Sequence, residues 1–177
     1  MGIALAHAQQ WKQAEQLWVK AEQLIGERRV LQKEEAIQSL AAALAHAHQW
    51  SWAVQVINMT GKGLIHAKML SELGVALALA KQKDRAEQAW NEAEIMINSI
   101  DEKSRRAEAI CELGICLSRA NRFELLLRLI HTSWLQAETR TDILRLLPLA
   151  TKFVALKPEI GISFFEAFYW VDNFLKI

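Results

Sequence analysis

Apolar and small residues recur along the chain at helical spacing, and short polar stretches interrupt them. Leu40, Leu44 and Ala47, for example, lie three or four residues apart, which places them on one face of a helix. A polar turn follows each such segment, and a second helix is predicted after it, with Asp84 as the N-cap in one case. The predicted turns are Gln9-Gln10, His48-Gln49, Gln82-Lys83-Asp84 and Asn121-Arg122.

The helix pairs are copies of one sequence unit. The stretch LAHAQQW at Leu5–Trp11 returns as LAHAHQW at Leu44–Trp50, and looser copies begin at Leu77 and Leu117. Successive copies are 39, 33 and 40 residues apart, so long and short units alternate. Such a period predicts a single repeat domain, with approximate units 1-33, 34-63, 64-104, 105-137 and 138-177.

One unit, LGVALALAKQKDRAEQAWNEAE at Leu73–Glu94, resembles the tetratricopeptide repeat. That family pairs Leu-Gly on a first helix with Ala, an aromatic residue and Ala on a second. The matching residues here are Leu73, Gly74, Leu77, Ala86, Trp90 and Ala93. The resemblance implies an all-α fold, a right-handed α-α superhelix (α-solenoid) of about four to five helix pairs. Small residues at each helix crossing should let the backbones approach, with a large residue such as Trp90 beside them.

The Ala-rich units are also similar to helical repeats appended to large bacterial multidomain proteins, such as signalling ATPases of the STAND class. Alignment places Met1 on Leu73, halfway through a first helix, which favours a fragment of a longer repeat array. The resemblance therefore implies the scaffold or sensor part of a larger bacterial protein.

The composition of the chain argues against nucleic-acid binding, an all-β fold and a membrane-spanning segment. The chain has 177 residues with a net charge of +1, which provides no basic surface for nucleic acid. Only 7 glycines and 2 prolines argue against the many turns of an all-β fold. The uncharged stretch Ala36–Gly61 contains too many polar residues to span a membrane. With no signal segment and no disulfide pattern, a cytoplasmic location is predicted.

No residue pattern predicts catalysis, a metal or a cofactor. His46 and His48, if both helical, would point about 200° apart, which opposes joint ligation of a metal. Cys111 and Cys116 lie on different faces of one predicted helix and are interpreted as packing residues. Gly61-Lys62-Gly63 lacks the spacing of a phosphate loop and is interpreted as a turn. The chain is therefore predicted not to be an enzyme.

The resemblance, rather than the pattern alone, suggests a binding face. In tetratricopeptide-like stacks the concave wall comes from particular first-helix positions. Carried over, they predict a small, mildly apolar wall suited to a helix or apolar segment. Its residues are Gln38, Ala42, Ala45, His46, Lys68, Ser71, Val75, Ala78, Glu108, Ile115, Ser118 and Arg119.

The predicted function is therefore a non-catalytic module that binds a protein or peptide partner on this concave face, without nucleic acid or membrane. One alternative is a self-assembling structural module that stacks through exposed end helices, at Ile3 and Leu5 and at Phe164–Phe174. Another alternative is an α-helical enzyme whose site has no recognised motif.

Overall fold

A computed structural model describes residues 30–61 and 63–156, together with isolated positions between 16 and 23 and between 162 and 173. This part of the chain is all-α, with eight helices and no strands. The helices are α1 Val30–His46, α2 Trp50–Asn58, α3 Leu64–Leu79, α4 Lys83–Asn98, α5 Lys103–Arg119, α6 Phe123–Leu135, α7 Arg140–Arg145 and α8 Leu147–Leu156.

Some predictions fall elsewhere in the sequence. The first repeat copy at Leu5–Trp11 and the assembly residues Ile3 and Leu5 lie outside the described residues, as does most of Phe164–Phe174. Among the described helices, none combines the length and apolar character needed to cross a bilayer. The chain divides into two compact units, Met1–Met96 and Ile97–Ile177.

In the first unit, α1 packs against α2 and α3, and α2 packs against α3. Its core consists of aliphatic and small residues at the predicted spacing. Leu44, Ala53 and Val56 are fully buried, and Leu70 is 2% exposed. The short turns between helices explain why sequential helices pack on one another.

The three described turns between first and second helices share one hydrogen-bond geometry. In the first, His48 adopts a left-handed conformation with φ 59°, and Gln49 N–H donates to the Leu44 carbonyl at 2.9 Å. Lys81 (φ 60°) and Asn121 (φ 53°) repeat it, with bonds to the carbonyls of Leu77 and Leu117. Each turn is a Schellman motif, which satisfies carbonyls at the end of the first helix. The repeated leucine therefore marks a helix C-terminus.

Gly74 of α3 provides the close helix contact that the repeat signature predicts. A Cβ at this position would lie 2.5 Å from Cδ1 of Trp90, closer than real Cβ atoms come to a neighbour. The Trp90 indole is 3% exposed, and its Nε1–H donates to the Ser71 carbonyl at 3.2 Å. The prediction that a small residue on one helix accommodates Trp90 on the next is confirmed.

The second unit is built around α5, which packs against α6, α7 and α8. A Cβ at Gly114 would overlap Cδ1 of Leu149 on α8 and would lie 3.3 Å from Cδ1 of Leu126 on α6. Ile130, at the position equivalent to Trp90, is also buried. Here the space beside the glycine is filled by Leu149 and Leu126, because Leu126 replaces the small Ala86 of the preceding copy.

Two local predictions need correction. The helix α4 begins at Lys83, so Asp84 lies in its first turn rather than at the N-cap; a carboxylate there still favours the helix dipole. The residue His48 is not helical, so the helical angle between His46 and His48 does not apply.

Two of the predicted repeat boundaries lie between helices, and two lie within them. The boundaries 63/64 and 137/138 fall between helices, whereas 33/34 and 104/105 fall a few residues inside α1 and α5. In the last unit, α7 and α8 are separated at Leu146. Pro148 lacks an N–H and cannot continue the hydrogen-bond ladder of α7, which explains the break.

Candidate functional site

The predicted concave wall is partly exposed and partly buried. On α1, Gln38, Ala42 and His46 are exposed, whereas Ala45 is 6% exposed. On α3, Ser71 and Val75 are buried, at 1% and 3% exposure. The open part of the wall in the first unit therefore lies on α1. Of the remaining predicted residues, Glu108 and Arg119 are exposed and four are half-buried, namely Lys68, Ala78, Ile115 and Ser118.

The buried residues of this wall have structural contacts. The Ser71 hydroxyl donates to the Ala67 carbonyl at 2.8 Å, and the Ser71 carbonyl accepts the Trp90 indole N–H. Both polar groups of Ser71 are therefore used within the first unit. The sequence pattern alone does not separate Ser71 from Gln38, because burial of an equivalent position depends on its neighbouring helices.

A groove of about 210 Å³ lies in the first unit between α2, α3 and α4. The floor is apolar and comes from Leu70, Leu73 and Leu77 of α3, all at most 4% exposed. One wall belongs to α2 and the other to α4. The wall residues are Trp50, Ser51 and Val54 on α2 and Arg85, Gln88, Ala89 and Glu92 on α4. None of the predicted wall residues lines this groove.

The groove combines an apolar floor with charged residues along one wall. Trp50 is 8% exposed, and its ring contacts the edge of His48 with 5.2 Å between centroids. The Arg85 guanidinium donates to Gln82 Oε1 at 3.1 Å, and Gln88 Nε2 donates to Glu92 Oε1 at 3.1 Å. These are exposed bonds that a docked partner can replace at small cost. The groove suits an aliphatic side chain with polar neighbours.

Sequence reasoning missed the α4 wall of this groove. The sequence analysis assigned no role to Arg85, Gln88 and Glu92, because charged and amide residues on a helix usually form an ordinary solvated face. The available signal was their spacing, because positions 85, 88, 92 and 95 form one helical stripe that ends on Ile95. Ile95 is 62% exposed, so the stripe carries a large aliphatic side chain at one end.

A second cleft, of about 170 Å³, lies in the second unit and is polar. The Lys103 Nζ lies 2.6 Å from Glu138 Oε2 and 3.9 Å from Asp142 Oδ2. The hydrogen bond and the attraction from Glu138 raise the pKa of Lys103. Arg106 donates to the Ile100 carbonyl at 2.9 Å. The Lys103 contacts join the start of α5 to Glu138 and to Asp142 of α7, whereas the Arg106 bond joins α5 to the loop before it.

Thr139 and Asp142 form a capping box at the start of α7. The Asp142 N–H donates to Thr139 Oγ1 at 3.2 Å, and the Thr139 N–H donates to Asp142 Oδ2 at 3.1 Å. Desolvation opposes ionisation of Asp142, but the hydrogen bond from the Thr139 hydroxyl and the nearby Lys103 outweigh it and lower its pKa. The polar residues of the cleft are therefore accounted for by the contacts that they make with one another.

Among the described residues, the histidines and cysteines considered above as candidates do not form a metal-binding group. No group of three or more His, Cys, Asp or Glu side chains within the described residues could hold a metal ion. Cys111 is half-buried, its Sγ lies 3.5 Å from the Arg145 carbonyl, and burial raises the pKa of its thiol. A thiol with a raised pKa is a poor nucleophile at neutral pH. Cys116 is buried at 2% exposure, as a packing residue would be.

Comparisons with protein-family models, with curated proteins and with solved structures find no match to this chain.

Proposed function

We propose that the chain is a set of tetratricopeptide-like repeats, arranged as an α-solenoid, that binds a segment of another protein. The observation that supports this most directly is the recurrence of one turn geometry. Leu44, Leu77 and Leu117 each accept the same Schellman hydrogen bond at the end of a first helix. Tandem helix pairs with a constant joint are characteristic of repeat proteins, which offer extended surfaces to protein partners.

The contact between Gly74 and Trp90 adds support to the repeat proposal. It joins a first helix to the second helix of the same unit through the residue types that the family signature pairs. The arrangement has a physical purpose, because a glycine lets the two helices approach and lets the indole fill the space between them. The contact supports the architecture and is neutral with respect to the partner.

The binding surface we propose in the first unit is the exposed part of the concave wall on α1. Gln38 and Ala42 are exposed there, and His46 is exposed at the helix end. A small side chain such as that of Ala42 allows close approach of a partner helix, while Gln38 can exchange hydrogen bonds with it. The residues Lys68 and Ala78 on α3, Glu108, Ile115, Ser118 and Arg119 on α5 remain further predicted contacts.

The proposal is tested with a displayed peptide library selected on the immobilised chain. Enriched peptides are synthesised, and their affinities are measured by calorimetry for the unaltered chain and for Ala42→Arg. We expect Ala42→Arg to weaken binding at least about tenfold, since a long charged side chain would occupy the contact. Gln55→Arg, at an exposed position of α2, is the control and should leave affinity unchanged.

Helicity of both variants is compared by circular dichroism so that unfolding is not mistaken for lost binding. Equal affinity of the peptides for Ala42→Arg and for the unaltered chain would remove α1 as the binding surface. Failure of the library to yield any specific peptide would argue against a peptide-binding function.

A further inference from the structure

The stripe of α4 beside the groove has a self-complementary charge pattern. Arg85 and Glu92 line the groove from the same helix, two turns apart, with Gln88 between them. Two turns correspond to about 10.5 Å along the helix axis. The spacing is too long for these two side chains to pair within one helix, where partners lie three or four residues apart. Arg85 and Glu92 therefore cannot neutralise each other within α4, and each is suited to an opposite charge on another helix.

We infer that this surface associates with a second copy of the chain through antiparallel pairing of α4. When two copies of α4 run antiparallel with Arg85 opposite Glu92 of the other copy, Glu92 lies opposite Arg85 in return. Two-fold symmetry thus forms two equivalent ion pairs from one pattern. An arbitrary partner would need its own matching charges, whereas a second copy already has them.

The same register accounts for Ile95 and for the apolar floor. With residue 85 opposite residue 92, Ile95 of one copy lies opposite position 82 of the other, one residue before α4 begins. Two groove residues contact Gln82, since the Leu77 carbonyl accepts a hydrogen bond from the Gln82 N–H and the Arg85 guanidinium donates to Gln82 Oε1. The exposed Ile95 side chain would thereby enter the groove above its apolar floor and lose contact with water. A cavity of about 150 Å³ holds a benzene molecule, so the groove's 210 Å³ is sufficient for one isoleucine side chain.

The expected dimer is weak. A single helix pair with one inserted side chain buries less than the roughly 1,600 Å² of a standard stable interface. We therefore expect dissociation constants of about 1–100 μM. Because the ion pairs are exposed, association should also weaken as salt rises from about 50 mM to about 500 mM.

Charge reversal with reciprocal rescue tests the inference by sedimentation equilibrium over a concentration series. Arg85→Glu places a carboxylate opposite Glu92 of the other copy, twice over, and should weaken dimerisation at least about tenfold. Glu92→Arg should weaken dimerisation to a similar extent, because it places a guanidinium group opposite Arg85 of the other copy. The double variant R85E/E92R restores both pairs, and we expect its dissociation constant within about threefold of the original.

Two controls isolate the surface. Lys152→Glu makes the same change in net charge at an exposed position of α8 and should leave dimerisation unchanged. Ile95→Ser removes the inserted side chain without changing charge and should weaken the dimer about tenfold. If a reversal lowers helicity, the neutral variants Arg85→Gln and Glu92→Gln replace it and should each weaken the dimer by a smaller factor.

Several outcomes would overturn the inference. A chain that stays monomeric at about 500 μM in low salt does not associate in this way. A dimer that is insensitive to Arg85→Glu and Glu92→Arg uses another surface. A dimer that both single reversals weaken but the double variant fails to restore is not held by the antiparallel register.

Discussion

The indole N–H of Trp90 donates a hydrogen bond to the backbone carbonyl of Ser71, one helical turn before Gly74, at 3.2 Å. The indole can reach this carbonyl because Gly74 has no Cβ in its path. The Ser71 carbonyl has a second lone pair that remains available for the helix. A directional hydrogen bond therefore holds α3 against α4, in addition to the burial of apolar side chains.

Gly74→Ala should destabilise the first unit. Alanine in place of a helical glycine adds about 1 kcal/mol of stability, but overpacking a tight contact costs about 1–3 kcal/mol. The overpacking cost should lie in the upper part of that range, about 2–3 kcal/mol, because Trp90 is buried and its hydrogen bond fixes the ring, so we expect a net loss of about 1–2 kcal/mol. Urea unfolding followed by circular dichroism measures the loss.

Gly61→Ala is the control for this change. An added Cβ at Gly61 meets no atom within 4 Å, so Gly61→Ala should change the free energy of unfolding of the protein by less than about 0.5 kcal/mol. A Gly74→Ala protein as stable as the original would mean that α3 and α4 are further apart than the structure shows.

Gly114→Ala should destabilise the second unit through a different partner. The added Cβ would overlap Leu149 Cδ1, so we expect a loss of about 1–3 kcal/mol. Leu149→Ala alone should cost about 2–5 kcal/mol by leaving a cavity. The double variant should be at least about 1 kcal/mol more stable than the sum of the two losses predicts, since each change compensates the other. Strict additivity in urea unfolding would show that the two residues are not in contact.

Lys81→Gly should stabilise the chain. Lys81 has φ 60° at the end of α3, a conformation that is unfavourable for residues with a Cβ and natural for glycine. We expect a gain of about 0.5–1 kcal/mol in the free energy of unfolding. Asn121→Gly should gain less, because asparagine tolerates the left-handed conformation better than lysine does.

Lys81→Ala separates conformation from charge in this experiment. It removes the same ammonium group as Lys81→Gly but keeps a Cβ, so it should give no comparable gain. If alanine and glycine stabilise equally, the effect comes from the lysine charge rather than from the backbone.

Asp142→Asn should lower stability in a pH-dependent way. The folded state lowers the pKa of Asp142, so its carboxylate contributes stability above the unfolded pKa of about 3.9 and loses that contribution as pH falls through the folded value. Near pH 7 we expect a loss of about 0.5–1 kcal/mol, at the lower end of capping effects, because Thr139 still caps α7.

Urea unfolding at several pH values checks this sign. The difference between Asp142→Asn and the original chain should begin to shrink as pH falls below the unfolded pKa of about 3.9, and should continue to shrink as pH falls through the lowered pKa of the folded state. Asp101→Asn, at an exposed position before α5, is the control and should change the free energy of unfolding by less than about 0.5 kcal/mol near pH 7. A difference that stays constant from pH 7 to pH 3 would contradict a role for the ionised form.

Local pattern and repetition were sufficient to predict several features. The packing of Trp90 beside Gly74 was expected from the resemblance to the tetratricopeptide repeat. The helical class and the turns after Leu44, Leu77 and Leu117 follow from spacing within one unit. These features depend on residues close in sequence, whose relative positions the helix period determines. The leucine at the end of each first helix is buried in all three copies, which explains why an apolar side chain recurs there.

The exposure of each surface position was decided by packing between helices. Ser71 and Gln38 occupy equivalent positions in the repeat, yet only Ser71 is buried, and Gly114 contacts Leu149, which lies 35 residues further along the chain. The groove beside Arg85 and Glu92 also exists only where α2, α3 and α4 come together. The sequence by itself determined the helices and their joints, because these depend on short-range spacing. Only the tertiary structure decided which side chains remain available to a partner, because burial depends on atoms that neighbouring helices contribute.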